Sequence, residues 1–119
     1  MKKILFVDDE AELRDIFKLF FVSSNYNYAD ASNGELGVEI AKSFKPDLII
    51  MDYKMPVMDG LTALKKLRAD KETSDIPVIM YSGFLTDADM AEFKRNKCSE
   101  ILVKPIEIEV LLAIISKYV

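Results

Sequence analysis

Apolar residues follow two rhythms along this chain. Ile4-Leu5-Phe6-Val7, Asp47 to Met51, Pro77 to Tyr81 and Glu100 to Val103 hold nearly unbroken apolar runs, too short for helices and suited to buried strands. Tyr26 to Asp30 is short and less apolar, which predicts an edge strand. Between these runs, apolar side chains recur every three or four positions. Leu13, Ile16, Phe17, Phe20 and Phe21 predict a helix from Glu10 to about Ser24 with one wide apolar face, stopped at Asn25. Leu36, Ile40 and Phe44 predict a second, capped by Ser32 with Glu35 completing a capping box, and stopped by Pro46. A third begins near Asp59 and carries Leu61, Leu64 and Leu67. Thr86 and Asp89 cap a short fourth helix with Ala88, Ala91 and Phe93, and the last buries Val110, Leu111, Ile114, Ile115 and Tyr118.

Five strand–helix pairs in strict alternation predict an α/β fold, a doubly wound parallel sheet covered by helices on both faces. Right-handed crossovers leave few topologies for so short a chain. No internal repeat, low-complexity tract or linker interrupts the pattern, so residues 1–119 read as one domain with a single real core.

Composition narrows the function. Half the residues are hydrophobic and the net charge is -4, which argues against nonspecific binding to nucleic acid or anionic membrane. No apolar run approaches membrane-spanning length, and Met1-Lys2-Lys3 leads into a strand rather than a signal peptide. A single Cys98 allows no intrachain disulfide and fits a reducing, cytoplasmic compartment. The chain has no histidine, which excludes the usual zinc sites and Ser-His or Cys-His pairs. Any phosphohistidine donor must therefore be another protein.

The centre of the pattern is Leu48-Ile49-Ile50-Met51-Asp52, a buried run ending in an acid, followed by Pro56 and the turn signal Asp59-Gly60. In a parallel sheet all strand ends share one rim, where such folds bind ligands. That rim collects Asp8 and Asp9, Asp52, Ser82 and Lys104. Singly, each has an ordinary reading: an acid after a strand caps a helix, Ser82 closes a turn, Lys104 before Pro105 is solvated, and Asp52 begins an Asx turn. Together they differ. Carboxylates this close repel one another unless a cation joins them. An oxygen-rich pocket without thiol or imidazole suits Mg2+ or Mn2+, which also accepts a phosphate oxygen as ligand. Lys104 adds positive charge and the Ser82 hydroxyl can donate, so the set supplies what phosphoryl transfer to Asp52 requires.

Over essentially its whole length the chain resembles the receiver domain of two-component response regulators. The resemblance rests on Asp8-Asp9-Glu10, Asp52 with Met55-Pro56 and Asp59-Gly60, Ser82 before a small residue, and Lys104-Pro105. It implies a flavodoxin-like fold with strand order 2-1-3-4-5. It also implies that a sensor histidine kinase or histidine phosphotransfer protein donates its phosphoryl group to Asp52. By the same resemblance Asp9, Asp52 and the Lys54 carbonyl ligate Mg2+, and Asp8 helps through water. Lys104 pairs with the phosphoryl group through a cis Lys104-Pro105 segment, and Ser82 moves to bond it. The surface of the fourth helix, fifth strand and fifth helix is then read by a downstream target protein or an output domain, as a monomer or a phosphorylation-linked dimer. The chain would be a signalling domain that catalyses its own phosphotransfer and slow dephosphorylation, not an ordinary enzyme.

Three departures from the family pattern stand out. Ile101 stands where an aromatic switch residue is common, and Gly83 where Ala is commoner. Lys54 and Phe84, two residues past Asp52 and Ser82, flank the path of hydrolytic water. They either obstruct it and prolong the aspartyl phosphate or are simply exposed side chains. The alternative reading is a phosphorylation-independent adaptor, whose usual sign would be a missing acid, Ser/Thr or Lys. An aspartyl-phosphate hydrolase would need a second acid where Lys54 stands. Flavin and P-loop readings lack their phosphate loops.

Overall fold

A computed structural model describes all 119 residues. The elements alternate as expected: β1 (Lys3–Val7), α1 (Ala11–Ser23), β2 (Asn27–Ala31), α2 (Gly34–Phe44), β3 (Leu48–Met51), α3 (Gly60–Ala69), β4 (Val78–Ser82), α4 (Asp87–Arg95), β5 (Glu100–Val103) and α5 (Ile108–Ile115). The five strands form one parallel sheet in the order β2-β1-β3-β4-β5. The strand period of two sorts the apolar runs between two cores. Leu5, Val7, Ile49, Met51, Val78 and Met80 face Leu64, Leu67 and Phe93 of α3 and α4. Ile4, Phe6, Leu48, Ile50, Ile79 and Tyr81 face Phe17, Phe21, Leu111 and Ile115 of α1 and α5. Phe6 meets Phe17 edge-on at 4.5 Å between centroids, which anchors α1 over the middle of the sheet.

Local chemistry shifts several predicted boundaries. Asn33, not Ser32, caps α2, its Oδ1 accepting the Leu36 N–H at 2.9 Å. The cause lies at Gly34, whose N–H donates to the Met58 carbonyl at 3.0 Å. A β-carbon there would sit 2.7 Å from that oxygen, so the helix starts where the β3–α3 loop touches it. On α1 the wide apolar face divides. Phe17 and Phe21 are buried, while Ile16 is 55% exposed, because neighbouring helical positions lie about 100° apart and one sheet face cannot cover both. Leu36 and Val110 also face outward. The edge strand β2 begins at Asn27, one residue late, where its pairing with Lys3 starts. Tyr118 lies beyond α5, its hydroxyl donating to the Ser99 carbonyl at 3.2 Å.

The end of the sheet opposite the acidic rim is fastened by Arg68 of α3. Its guanidinium donates to the carbonyls of Ser74 (3.1 Å), Ile76 (2.8 Å) and Lys97 (3.0 Å), tying the approach to β4 to the turn after α4. Thr86 and Asp89 form the predicted capping box at the start of α4, and Lys97 at φ 61° ends that segment. No helix is long and apolar enough to cross a membrane.

Candidate functional site

The sheet order reverses between β1 and β3, and the acidic residues stand at the carboxyl end of this switch point. Backbone bonds carry the strand register into the site. Asp8 N–H donates to the Ala31 carbonyl at 3.0 Å, Asp52 N–H to Val7 at 2.9 Å, and Lys104 N–H to Ser82 at 2.8 Å. Ligand oxygens of Asp8, Asp9 and Asp52 consequently lie within 4.8 Å of one another. Asp8, Asp52 and Ser82 are buried, whereas Asp9 is exposed.

Each buried carboxylate is held at defined atoms. Asp8 Oδ1 accepts the Glu10 N–H at 2.9 Å, and Oδ2 accepts from Lys104 Nζ at 2.8 Å. Arg14 of α1 donates to the Asp8 carbonyl at 2.7 Å, fixing the β1–α1 loop. Asp52 Oδ1 accepts the Tyr53 N–H at 2.8 Å and lies 3.6 Å from Lys104 Nζ. The ammonium also sits 5.2 Å from the centroid of the Tyr81 ring. Burial raises Asp52 to about 6, with the Asp8 charge adding to it and Lys104 opposing. Burial pulls Lys104 down, but its bond to Asp8 and the charge of Asp52 outweigh this and hold it above its ordinary value.

The β3–α3 loop returns tightly beneath Asp52. Gly60 N–H donates to the Tyr53 carbonyl at 2.7 Å, and a β-carbon on Gly60 would fall 2.0 Å from the Asp52 carbonyl oxygen. Only glycine permits that approach. Asp59, one residue earlier, caps α3 by accepting the Thr62 N–H at 2.8 Å. The Asp-Gly pair read as a turn signal thus serves as cap and contact.

A cleft of about 460 Å³ opens over the site, lined by Asp9, Asp52, Lys54, Ser82 and Lys104. Phe84 and Glu10 also line it, and Phe84 is 77% exposed. Asp8 stands behind the cleft wall, completely buried. The Lys54 ammonium rests over the Tyr53 ring, 4.1 Å from its centroid. The Lys104-Pro105 bond is cis, as the resemblance implied. Sequence reading overlooked Arg14 and Tyr53. Arg14 lies four residues past Glu10, one helical turn from the loop it holds, which was a usable signal.

The donor set is all oxygen, with one exposed acid beside two buried ones, and the Lys104 ammonium next to it balances part of the negative charge. That chemistry suits a hard divalent cation that keeps part of its water.

Residues 4–116 match the family described as response regulator receiver domain. The chain is 36% identical to protein PilH of Pseudomonas aeruginosa, over 98% of this chain and 96% of that protein. It is 32% identical to the DNA-binding dual master transcriptional regulator RpaA of Synechocystis, over 95% of this chain but only 47% of RpaA, so it spans about half of that relative. The fold superimposes on the chemotaxis protein CheY4 of Vibrio cholerae with a TM-score of 0.92 at 28% identity, covering 100% of this chain and 99% of CheY4. With the strand order, the acidic switch point and these likenesses in agreement, the chain belongs to the response regulator receiver domains, the phosphoacceptor signalling modules of two-component systems.

Proposed function

We propose that Asp52 is the phosphoacceptor and that Asp8, Asp9, Ser82, Lys104 and the Lys54 carbonyl serve it. The observation that carries this reading is the convergence of Asp8, Asp9 and Asp52 at the switch point, with Lys104 Nζ bridging Asp8 and Asp52. Tyr53 N–H occupies Oδ1 of Asp52, which leaves Oδ2 as the attacking atom. Oδ2 attacks the phosphorus of a phosphohistidine on a partner protein. The P–O bond forms as the P–N bond breaks, and the imidazole leaves as the neutral ring, keeping the proton already on its other nitrogen. The source is a sensor histidine kinase or a histidine phosphotransfer protein, because this chain has no histidine of its own.

Asp8, Asp9, Asp52 and the Lys54 carbonyl would hold Mg2+, with Mn2+ as a substitute of the same donor preference. The ion supplies positive charge that offsets repulsion between the carboxylate and the incoming phosphoryl oxygens. Lys104 Nζ pairs with one phosphoryl oxygen and Ser82 Oγ donates to another, so Ser82 draws the loop after β4 inward. A target protein or an attached output domain reads the change on α4, β5 and α5. Water entering from the cleft hydrolyses the acyl phosphate slowly and resets the domain. We place this signalling in the cytoplasm, with the single, partly buried Cys98 in keeping with a reducing compartment.

The test is intact mass after incubation with Mg2+ and acetyl phosphate, with Asp52→Asn alongside. A single phosphoryl adduct on the unaltered chain and none on Asp52→Asn is expected. An adduct that persists in Asp52→Asn would move the acceptor elsewhere.

A further inference from the structure

Tyr53, the residue after Asp52, reaches across to α4 with its side chain. It is 7% exposed, and its ring meets Phe93 edge-on at 5.0 Å between centroids. Its hydroxyl donates to Asp89 Oδ1 at 3.1 Å, across 36 residues of sequence. The other oxygen of that carboxylate accepts the Thr86 N–H at 3.0 Å, while Thr86 Oγ1 accepts the Asp89 N–H at 3.1 Å. One carboxylate therefore caps α4 and anchors Tyr53 at once.

The location gives this link its meaning. Only Gly83, Phe84 and Leu85 separate Ser82 from Thr86. The four Cα–Cα steps from Ser82 to Thr86 span roughly 14 Å at most, so only a short length of chain stands between a displacement of Ser82 and the start of α4. A side chain at Gly83 would meet nothing within 4 Å, so packing around that residue does not hold the connection in place. Leu85 packs partly buried on the core, and just beyond it Tyr53 holds the cap of α4. Ile101, at the place of the common aromatic switch, has no ring to move and packs partly buried on the same core as Phe93. Tyr53 is a polar side chain that joins the acceptor loop to α4 through a hydrogen bond.

Resting on the reading of Asp52 as phosphoacceptor, we propose that Tyr53 is a positioning residue for Ser82. Its bond to Asp89 holds the start of α4, and with it the Ser82 loop, in the resting place. The bond is given up when Ser82 closes on phosphorylated Asp52. A contact made only in the resting state biases the equilibrium toward that state. Linkage then requires that removing the contact eases closure and that closure weakens the contact.

Tyr53→Phe keeps the ring and its packing on Phe93 and deletes only the hydroxyl. Asp89→Ala deletes the acceptor. The readout is the rate of adduct formation from acetyl phosphate at saturating Mg2+, followed by mass, with the Mg2+ affinity of each variant measured separately. Tyr53→Phe should be faster by about two- to tenfold, the range of one net hydrogen bond, with Mg2+ affinity unchanged. In the Asp89→Ala background, Tyr53→Phe should add nothing. Equal rates for the unaltered chain and Tyr53→Phe, or the same acceleration with Asp89 absent, would overturn the proposal while leaving the phosphoacceptor reading intact. No adduct on the unaltered chain would overturn both.

Discussion

Lys104 Nζ donates to Asp8 Oδ2 at 2.8 Å, joining two residues 96 positions apart, and this bond is shorter than the approach of the same ammonium to Asp52 at 3.6 Å. In the resting domain the lysine therefore neutralises the completely buried Asp8 first. On the proposed reading, a phosphoryl group on Asp52 would compete with Asp8 for the same cation.

Lys104→Met tests that pairing. Removing one partner leaves a buried charge uncompensated, which costs about 3–5 kcal/mol. In chelator the variant should lose stability on that scale by denaturant unfolding. Millimolar Mg2+ should restore part of the loss, because an ion bound by the folded state alone stabilises it by mass action. Equal loss with and without Mg2+ would show that the lysine packs rather than neutralises.

Asp52→Asn should stabilise the metal-free domain at pH 7. The folded-state value of about 6 lies above the unfolded one, so between pH 4 and 6 the folded state binds more protons than the unfolded state. Stability from this group is thus full at low pH and declines as pH rises through that window. The asparagine variant escapes the decline and should gain on the order of 1–3 kcal/mol at pH 7, narrowing toward zero near pH 4. Urea unfolding in chelator across pH 4–8 measures the difference.

Gly60→Ala probes the floor of the site. The added carbon must displace the backbone beneath Asp52, since it would fall 2.0 Å from that carbonyl oxygen. A loss of about 2 kcal/mol or more is expected, with sharply reduced phosphorylation. Normal adduct formation in a destabilised variant would show that the loop tolerates a shift without moving the acceptor.

Lys54 and Phe84 line the cleft beside Asp52 and Ser82, and Phe84 is largely exposed. If they screen the aspartyl phosphate from water, Lys54→Ala with Phe84→Ala should shorten its lifetime several-fold, read as decay of the adduct mass after the phosphodonor is removed. An unchanged lifetime assigns both side chains to the surface alone.

The alternation of runs and helices was legible because buried parallel strands must be apolar on both faces, as Leu48 to Met51 show. The rim was legible for a related reason: acids placed immediately after such runs have one place to go. What escaped were contacts decided by chain crossings. Ser32 and Asn33 are both competent caps, and only the approach of Met58 to Gly34 selects Asn33. Ile16 fits the helical period as well as Phe17 does, and only the position of α1 over the sheet turns it outward. Tyr53 went unnoticed, because its partner Asp89 lies on a different element.

The clamp made by Arg68 has a mechanical consequence. By gripping the carbonyls of Ser74, Ile76 and Lys97, it makes the turn after α4 a pivot rooted in the base of the sheet. With Phe93 buried near the same end, α4 is placed as a short lever whose other end, beside Ser82, is latched by the Tyr53–Asp89 bond. The nine residues of α4 span about 13 Å, so each ångström of travel at Thr86 tilts it by about 4°. If Ser82 closes on Asp52 as proposed, a stroke of bond-length scale there would become a rotation of a whole surface.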